Sequence, residues 1–331
     1  MKVVVTGGAG FIGANLVRVL AGHPAVDEVV ALDDLSTGFA ANLAGVDAEL
    51  VEGSILNEAV LARTLRGASA VVHLAARPSV PRSIADPLAS HEANATGTLR
   101  VLQAARELTD PLVILASSSS VYGANPALPK AESMLPMPLS PYAVSKLATE
   151  QYAMAFQHSY GLRSLAFRFF NVFGPLQAAG HAYAAVVPAF VGAALAGQPL
   201  TIHGDGTQSR DFTYVGTVCA VIATAIDRGV DADWPVNLAF GSRTDLLHLA
   251  ELLEGLIGHP LDVTHTELRP GDVPHSQADG SRVRALFPDI EAVALEEGLA
   301  ATVDWMRTQV DPAADRQPDP PQSDPSTGSV R

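Results

Sequence analysis

The sequence is poor in cysteine, in aromatic residues and in positive charge, and it has no long hydrophobic run. Cys219 is the only cysteine, so neither a disulfide framework nor a thiolate metal cluster can form. The 21 Lys and Arg residues are outnumbered by 35 Asp and Glu residues, which gives a formal net charge of −14. An acidic surface attracts neither nucleic acid nor anionic membranes, and no apolar run reaches the roughly 18–20 residues of a membrane span. We therefore expect no nucleic-acid partner and no membrane partner.

The ten histidines are scattered, without an HExxH pattern or carboxylates at ligand spacing, so no metal site is predicted. A strand and a glycine-rich turn begin within the first residues, and from this we expect no signal peptide and a cytoplasmic protein. What the sequence does have is 48% hydrophobic residues over 331 positions. That is enough for a large core and two lobes.

Short apolar runs alternate with helical patterns through the first half of the chain. Strands are predicted at Lys2–Val5, Glu28–Leu32, Ala70–Leu74, Leu112–Ala116 and Arg163–Phe167, and helices at Phe11–Leu20 and from Pro141 to about Tyr160. Continuous apolar strands separated by helices indicate a parallel sheet covered on both faces. The predicted fold class is therefore α/β, a Rossmann-type doubly wound parallel sheet with a smaller C-terminal substrate-binding lobe.

The pattern changes after Gly174-Pro175. Later helices and strands are shorter, and are predicted at 186–196, 200–203, 236–239 and 246–256. We predict a Rossmann-type domain over residues 1–174, to which elements at about 212–242 return, and a smaller lobe formed by residues 175–211 and 243–310. Residues 311–331 are rich in Pro, Asp, Ser and Gln, a composition that predicts a disordered tail.

A glycine-rich turn follows the first strand. Gly7, Gly10 and Gly13 have the GxxGxxG spacing of a dinucleotide-binding turn, in which backbone approaches the pyrophosphate at a helix start. Asp33 lies 20 residues after Gly13, at the end of the second strand. A carboxylate there hydrogen-bonds the adenosine ribose and repels a 2′-phosphate. The pattern predicts NAD rather than NADP, with Asp34 as an alternative ribose ligand.

Tyr142 and Lys146 are four residues apart and follow Ser140-Pro141. Ser140 is typical of a helix N-cap and Pro141 of a first helical residue. Residues at this spacing share one helix face, so the ammonium and the helix start are both expected to lower the phenol pKa from about 10. Such a tyrosine can act as a base near neutral pH. On this spacing alone, an ordinary surface tyrosine and lysine remain the alternative.

These motifs together resemble the extended short-chain dehydrogenase/reductase family. The resemblance rests on Thr6–Gly13, Asp33–Gly38, His73–Ala76, Ser117–Gly123 and Tyr142–Lys146. It covers about residues 1–308 and is strongest to UDP-glucose 4-epimerases and their N-acetylhexosamine relatives. It implies NAD as the cofactor, a UDP-sugar as the substrate, and a homodimer formed by two helices of each subunit, here around Leu88–Glu107 and Tyr142–Tyr160.

The resemblance also implies roles for individual residues. The catalytic residues would be Ser118, Tyr142 and Lys146, with Tyr142 as the base. Cofactor contacts are implied for Gly7, Gly10, Phe11, Ile12, Asp33, Asp34, Ser36, Thr37, Gly38, Ser54, Ile55, Leu74, Ala75, Ala76, Asn94, Tyr142 and Lys146. Substrate contacts are implied for Ser79, Ser118, Ser119, Ser120, Tyr142, Asn171, Val187, Arg210, Arg269, Asp272 and Ser276. Ser54 stands where relatives usually have Asp, so the adenine contact there is expected to be weaker or made by backbone.

The implied reaction is the interconversion of UDP-glucose and UDP-galactose through a 4-keto sugar. Similar enzymes have either a bulky tyrosine or a small residue at the position of Ser276, where a tyrosine would fill the space that an N-acetyl group needs. Ser276 therefore favours UDP-GlcNAc and UDP-GalNAc as further substrates. The alternative is that Ser276 is a loop serine away from the sugar.

Three other functions are alternatives for such a sequence. A nucleotide-sugar 4,6-dehydratase is the nearest, but Ser119 and Ser120 occupy the positions where such relatives carry Asp and Glu. A UDP-glucuronate 4-epimerase or decarboxylase needs a further cation, and the segment 180–188 contains no arginine. A non-catalytic NAD-binding sensor has no reason to keep a serine, a tyrosine and a lysine together at the catalytic positions.

Overall fold

The computed structural model describes residues 1–179, 184–267 and 273–309. Its strands are β1 (Lys2–Thr6), β2 (Glu28–Asp33), β3 (Glu49–Glu52), β4 (Ala70–His73), β5 (Leu112–Ser118), β6 (Ser164–Phe169), β7 (Val172–Phe173), β8 (Leu200–His203), β9 (Ser209–Arg210), β10 (Thr213–Tyr214), β11 (Val236–Leu238), β12 (Thr244–Asp245) and β13 (Val263–Thr266). Its α-helices are α1 (Phe11–Ala21), α2 (Glu58–Leu65), α3 (Val80–Ala85), α4 (Pro87–His91), α5 (Gly97–Ala105), α6 (Pro141–Tyr160), α7 (Val186–Leu195), α8 (Val215–Arg228), α9 (Leu246–Ile257), α10 (Ser281–Leu286) and α11 (Leu295–Gln309). Short 3₁₀ helices lie at Ala40–Leu43 and Ser119–Tyr122, and a π-helical turn at Glu92–Thr96.

Seven strands of the described residues form one parallel sheet in the order β11-β6-β5-β4-β1-β2-β3. The chain runs outward from β1 through β2 to β3, and then returns to β4 on the other side of β1. At this reversal the loops after β1 and β4 separate, and ligands of doubly wound sheets bind in the resulting crevice at the carboxyl ends of the strands. The predicted α/β fold class is confirmed.

Each face of the sheet is covered by helices because successive side chains of a strand point to opposite faces. Val3 and Val5 pack with α1 and α8 on one face, and Val4 packs with α2, α5 and α6 on the other. The α1 side chains Leu16 and Leu20 are at most 1% exposed. Burying one such side chain contributes about 1.5–3 kcal/mol relative to leaving it exposed. The regular spacing of apolar residues in the α1 sequence predicted the helix because this gain requires them to share one helix face.

The predicted strands and helices are confirmed within about two residues, and α6 begins and ends where its capping residues indicate. Ser140 Oγ accepts a hydrogen bond from Ala143 N at 3.2 Å, and Gly161 takes a left-handed conformation at the C-cap. The edge strand β3 was not predicted. Its sequence Glu-Leu-Val-Glu has glutamates at both ends and no fully buried side chain, so it lacks a continuous apolar run.

The second half of the chain forms two-stranded pairs and a separate apolar core. β10 pairs with β7, β12 with β9, and β13 with β8, while α7, α9 and α11 share a core that includes Phe190, Leu253 and Met306. β11 belongs to the main sheet, and α8 packs against α1. None of the described helices combines the length and the apolar character needed to cross a membrane.

Candidate active site

The glycine turn after β1 lies tightly between α1 and the segment that follows β4. Gly7 has φ of +71°, and a Cβ added to it would lie 2.6 Å from Ala75 N. A Cβ on Gly13 would lie 2.0 Å from Gly7 O. Gly10 is the N-cap of α1 and makes no side-chain cap hydrogen bond, so the first-turn N–H groups of α1 face the turn. Backbone N–H groups at a helix start without side chains in front of them suit a diphosphate.

Asp33 ends β2 beside this turn, with its carboxylate buried. Its Oδ2 accepts from Ala9 N at 2.9 Å and its Oδ1 from Leu35 N at 2.8 Å. Burial raises the pKa of Asp33 above 3.8, although these backbone hydrogen bonds lower it. Asp34 is exposed and accepts from Ser36 N at 3.0 Å. The geometry favours Asp33 over Asp34 as the group that faces a ribose, because only Asp33 lies against the turn.

Most of the other implied cofactor residues follow the carboxyl ends of β1, β2, β3 and β4, with different exposures. Phe11, Ile12, Ser54, Leu74, Ala75 and Ala76 are half-buried, Gly38 and Ile55 are buried, and Ser36 and Thr37 are exposed. The hydroxyl of Ser54 accepts from Leu56 N at 3.2 Å. Ile55 packs on α5, since a Cβ on Gly97 would meet its Cδ1 at 2.5 Å. Ser54 and Ile55 thus form part of the turn that follows β3, and their contacts with a cofactor remain predictions.

His73 ends β4 inside a chain of buried polar groups. Its Nδ1 lies 2.8 Å from Thr6 Oγ1 and its Nε2 lies 3.0 Å from Thr98 Oγ1. Burial, together with the charge of Lys146, lowers the pKa of His73 to about 3. Thr6 Oγ1 also accepts from Ala75 N at 3.4 Å. A neutral imidazole therefore links the ends of β1 and β4 to α5 through hydrogen bonds.

Asn94 lies in the π-helical turn and is 1% exposed. Its Oδ1 accepts from Arg77 N at 2.7 Å, and its Nδ2 donates to Arg77 O at 3.2 Å and to Ser145 Oγ at 2.9 Å. The amide therefore ties the loop after β4 to α6. Ser79, in the same loop, has φ of +101° and caps α3 by accepting from Arg82 N at 3.3 Å. Backbone strain of this kind clusters at functional sites.

Tyr142 and Lys146 lie in the first two turns of α6, next to the end of β5. Lys146 Nζ is buried and donates to Ala116 O at 2.8 Å, and burial lowers the pKa of Lys146 to about 8. Burial also raises the pKa of the half-buried Tyr142, while hydrogen bonding with the Ser118 side chain lowers it. The expectation of a lowered phenol pKa is therefore wrong for the protein alone. Burial disfavours the charged form of each group, and for Tyr142 it outweighs the hydrogen bond with Ser118.

Ser118 is the last residue of β5 and the N-cap of the 3₁₀ helix. Its Oγ accepts from Ser120 N at 3.2 Å and from Ser120 Oγ at 2.9 Å. Ser118, Ser119 and Ser120 are all half-buried. The hydroxyl proton of Ser118 is free to point toward Tyr142, because both contacts to Ser120 use Ser118 Oγ as the acceptor.

Several implied substrate residues gather around β9. Arg210 Nη1 donates to Ser209 O at 3.0 Å and to Pro274 O at 3.2 Å. Ser276 N donates to the same Ser209 O at 2.9 Å, and Asn171 Nδ2 donates to Asp211 O at 3.3 Å. The structure thus brings Asn171, Arg210 and Ser276 together, although 105 positions separate the first from the last.

Two other implied residues, Arg269 and Asp272, lie outside the described residues. Val187 is in the first turn of α7 and its side chain is 1% exposed within the apolar core of the second half. A ligand contact of Val187 therefore remains a prediction. Among the described residues, no group of three or more His, Cys, Asp or Glu side chains could hold a metal ion.

Sequence reasoning missed Asp211, a buried carboxylate that assembles this region. It accepts from Gly241 N and Ala278 N, both at 3.0 Å, and from Ser242 Oγ at 2.9 Å. Burial raises the pKa of Asp211 above 3.8. The only local sign of its role was its position next to Arg210. The hydrogen-bond partners of Asp211 lie 30 to 67 positions away in the sequence.

A doubly wound sheet with a glycine turn, a buried carboxylate after β2 and a Tyr–Lys helix start beside β5 defines a dinucleotide-dependent enzyme of the extended short-chain dehydrogenase/reductase type. Residues 3–239 match the family model described as the NAD dependent epimerase/dehydratase family. The chain belongs to this family, and NAD is its cofactor.

Similar proteins agree with this assignment. A UDP-glucose 4-epimerase from Mycolicibacterium smegmatis is 37% identical, covering 93% of this chain and 99% of the relative. A solved UDP-N-acetylglucosamine 4-epimerase from Methanobrevibacter ruminantium, in complex with UDP-N-acetylmuramic acid, has a TM-score of 0.88 at 37% identity, covering 93% of this chain and 98% of the other. The Thermus thermophilus UDP-glucose 4-epimerase in complex with NAD has a TM-score of 0.85 at 33% identity, covering 94% and 100%. Proteins named as UDP-glucuronate 4-epimerases and dTDP-glucose 4,6-dehydratases are also similar.

Proposed function

We propose that the protein is an NAD-dependent UDP-hexose 4-epimerase. It interconverts UDP-glucose and UDP-galactose, and also UDP-GlcNAc and UDP-GalNAc, through a transient 4-keto sugar. The observation that carries the proposal is the meeting of the Ser118 hydroxyl, the Tyr142 phenol and buried Lys146 at the carboxyl end of β5, on the edge of the sheet where the glycine turn lies.

In the proposed reaction, Tyr142 takes the proton of the sugar C4 hydroxyl as the general base. When bound, NAD would supply the reversible hydride transfer at C4 on which the inversion depends. Ser118 donates a hydrogen bond to the reacting oxygen. Lys146 would hold the nicotinamide ribose, as the family resemblance implies, and its Nζ is fixed by the hydrogen bond to Ala116 O. Burial excludes water from Lys146, which strengthens the charge interactions of its ammonium.

The residues around Ser118 argue against the dehydratase reaction. Elimination of water from the sugar needs a carboxylic acid and a carboxylate, and the side chains after Ser118 are the hydroxyls of Ser119 and Ser120. A UDP-glucuronate enzyme needs a cation for the sugar carboxylate, and residues 184–188 supply none. The Ser118–Tyr142–Lys146 arrangement argues against a non-catalytic sensor.

Ser276 supports the N-acetylated substrates. It follows the residue that bridges to Ser209, and it shares Ser209 O with the guanidinium of Arg210. A guanidinium at this place suits a diphosphate, so a small side chain beside it leaves room near the attached sugar. We include Arg269 and Asp272 in this nucleotide-sugar site on the basis of the resemblance alone, and propose residues 175–211 and 243–310 as the lobe that holds it.

The proposed assembly is a homodimer in the cytoplasm. Four large apolar side chains are exposed on helices that pack against one another: Ile84 of α3 is 60% exposed, Leu88 of α4 76%, Val144 of α6 53% and Tyr152 of α6 37%. A second copy of the chain covering these side chains would remove them from water, which favours association.

A product assay tests the proposal. Each of UDP-glucose, UDP-galactose, UDP-GlcNAc and UDP-GalNAc is incubated with purified protein without added cofactor, and products are separated by chromatography. We expect the C4 epimer of each. Tyr142→Phe should lower turnover about 10²–10⁴-fold, the usual contribution of a general base, with bound NAD retained.

Tyr152→Phe, on the same helix, is the matched control, because it removes only a hydroxyl and keeps the apolar ring that the proposed dimer would cover, and it should keep wild-type turnover. A 4-keto-6-deoxy product would assign the protein to the dehydratases. A Tyr142→Phe variant with normal turnover would exclude the proposed base.

A further inference from the structure

A buried ion pair lies behind the catalytic face of α6. Glu150 of α6 is 0% exposed and Arg168 of β6 is 2% exposed. Arg168 Nε contacts Glu150 Oε1 at 2.9 Å, and Arg168 Nη2 contacts Glu150 Oε2 at 2.8 Å. Hydrogen bonds and the charge of Glu150 raise the pKa of Arg168, although burial alone lowers it. The pair is therefore a bidentate contact with a strong directional preference.

Glu150 also fastens α6 to the end of β5. It lies one helical turn after Lys146, and Ser117 Oγ donates to Glu150 Oε1 at 2.5 Å. The same hydroxyl lies 3.3 Å from Lys146 O. Ser117 immediately precedes Ser118 and pairs with Arg168 in the β5–β6 register. One carboxylate thus determines where the Lys146 turn lies relative to the strand that ends in Ser118.

Arg168 extends the same cluster to the turn that follows Ser118. Its guanidinium lies 4.7 Å from the ring centroid of Tyr122, the last residue of the 3₁₀ helix. Tyr122 Oη donates to Asn237 Oδ1 at 2.6 Å, and Asn237 N donates to Glu132 Oε1 at 2.9 Å. The 3₁₀ helix that carries Ser119 and Ser120 is therefore held by the same guanidinium that holds α6.

Stability alone is a weak reason for such a pair. The desolvation of two buried charges offsets most of their attraction, and replacing both by apolar side chains is often neutral for stability. Placement is a stronger reason, because a misplacement of about 1 Å at reacting groups can lower a rate about 10²-fold. The strand that ends in Ser118 and the helix that carries Tyr142 and Lys146 meet at this pair, and both of its members are at most 2% exposed.

We propose that Glu150 and Arg168 are positioning residues of the enzyme, which hold the end of β5, the 3₁₀ helix and the first turns of α6 in the arrangement needed for proton and hydride transfer. The proposal rests on the epimerase function proposed above. It assigns no contact with substrate or cofactor to either residue.

The test compares variants by turnover for each NAD-loaded molecule. Glu150→Gln removes the charge and leaves Arg168 unpaired, and it is expected to lose stability. The double variant Glu150→Met/Arg168→Met replaces the pair with apolar side chains, so its thermal midpoint should stay near that of the wild type. Val303→Ala, in the core of α11 and 1% exposed, is the matched control for a loss of buried contacts away from the cluster. For each protein, kcat and KM for UDP-galactose, the pH profile of kcat and the bound NAD are measured.

We expect kcat of the double variant to fall about 10–100-fold with KM within about twofold, as misplacement of reacting groups predicts. Its pH profile should change shape, because the environment of Lys146 changes. Val303→Ala should lower the thermal midpoint and leave kcat and its pH profile unchanged. A folded, NAD-loaded double variant with wild-type kcat and pH profile would overturn the inference. Absence of turnover by the wild type would instead contradict the proposed function.

Discussion

Neutral, buried His73 should make the protein unusually sensitive to acid. The pKa of its imidazole falls from 6.5 to about 3 on folding, so the unfolded chain binds more protons than the folded chain between these values. The contribution of neutral His73 to the free energy of unfolding is therefore complete above pH 6.5 and is lost as the pH falls toward 3. At about 1.4 kcal/mol per pH unit, the whole effect is about 5 kcal/mol. This is a large part of the roughly 5–15 kcal/mol by which folded domains are stable.

The measurement is the free energy of unfolding by urea as a function of pH, compared between the wild type and His73→Gln. Glutamine keeps hydrogen-bonding groups near Thr6 and Thr98 but does not titrate in this range. Between pH 6.5 and 4.5 the wild type should lose about 2 kcal/mol more than the variant, following the same linkage. The buried carboxyls of Asp33 and Asp211 have raised pKa values and contribute in the opposite direction, but they are present in both proteins and cancel in the comparison.

His158→Gln is the matched control, because His158 is exposed on the last turn of α6 and stays in water on folding. Its variant should show the wild-type loss of stability in acid. If His73→Gln loses stability as steeply as the wild type over this range, His73 is not held neutral by burial. The reasoning about the buried polar chain between β1, β4 and α5 would then be refuted.

Two further substitutions test the cofactor crevice and the sugar pocket. Gly7→Ala places a Cβ 2.6 Å from Ala75 N at a positive φ and should strip NAD from the purified protein, as read from the NAD released on denaturation. Gly67→Ala shares the positive φ but meets nothing within 4 Å, so an equal NAD loss in both variants would exclude the close approach as the cause. Ser276→Tyr should abolish turnover of UDP-GlcNAc and UDP-GalNAc and spare UDP-galactose, whereas Ser276→Ala should keep both. A parallel loss of plain and N-acetylated substrates in the tyrosine variant would contradict the pocket argument.

Several features of the fold follow from signals that act over a few residues. The apolar runs of β1, β2, β4 and β5, the capping of α6 by Ser140 and Gly161, and the glycine turn were all predictable. Capping, side-chain period and turn chemistry depend on neighbours in sequence, so one chain is enough to recognise them. Strand β3 escaped prediction because an exposed edge strand needs no continuous apolar run.

The residues of the candidate site also fall into two groups, those that could be predicted from local sequence and those that could not. Tyr142 and Lys146 could be singled out from their spacing, and Asp33 from its distance to the glycine turn, while other roles depended on resemblance. The direction of the Tyr142 pKa could not be obtained from the sequence, because burial by distant segments decides it.

By itself, then, the sequence determined the class of fold, the dinucleotide turn and the helix that carries the reactive tyrosine. Only the tertiary structure decided how these parts are held. The contacts of Glu150 with Arg168, of Tyr122 with Asn237 and of Asp211 with Ala278 join residues 18, 115 and 67 positions apart. Charged and polar side chains separated this far form no recognisable sequence pattern, because the packing of the sheet and its helices determines which of them come into contact.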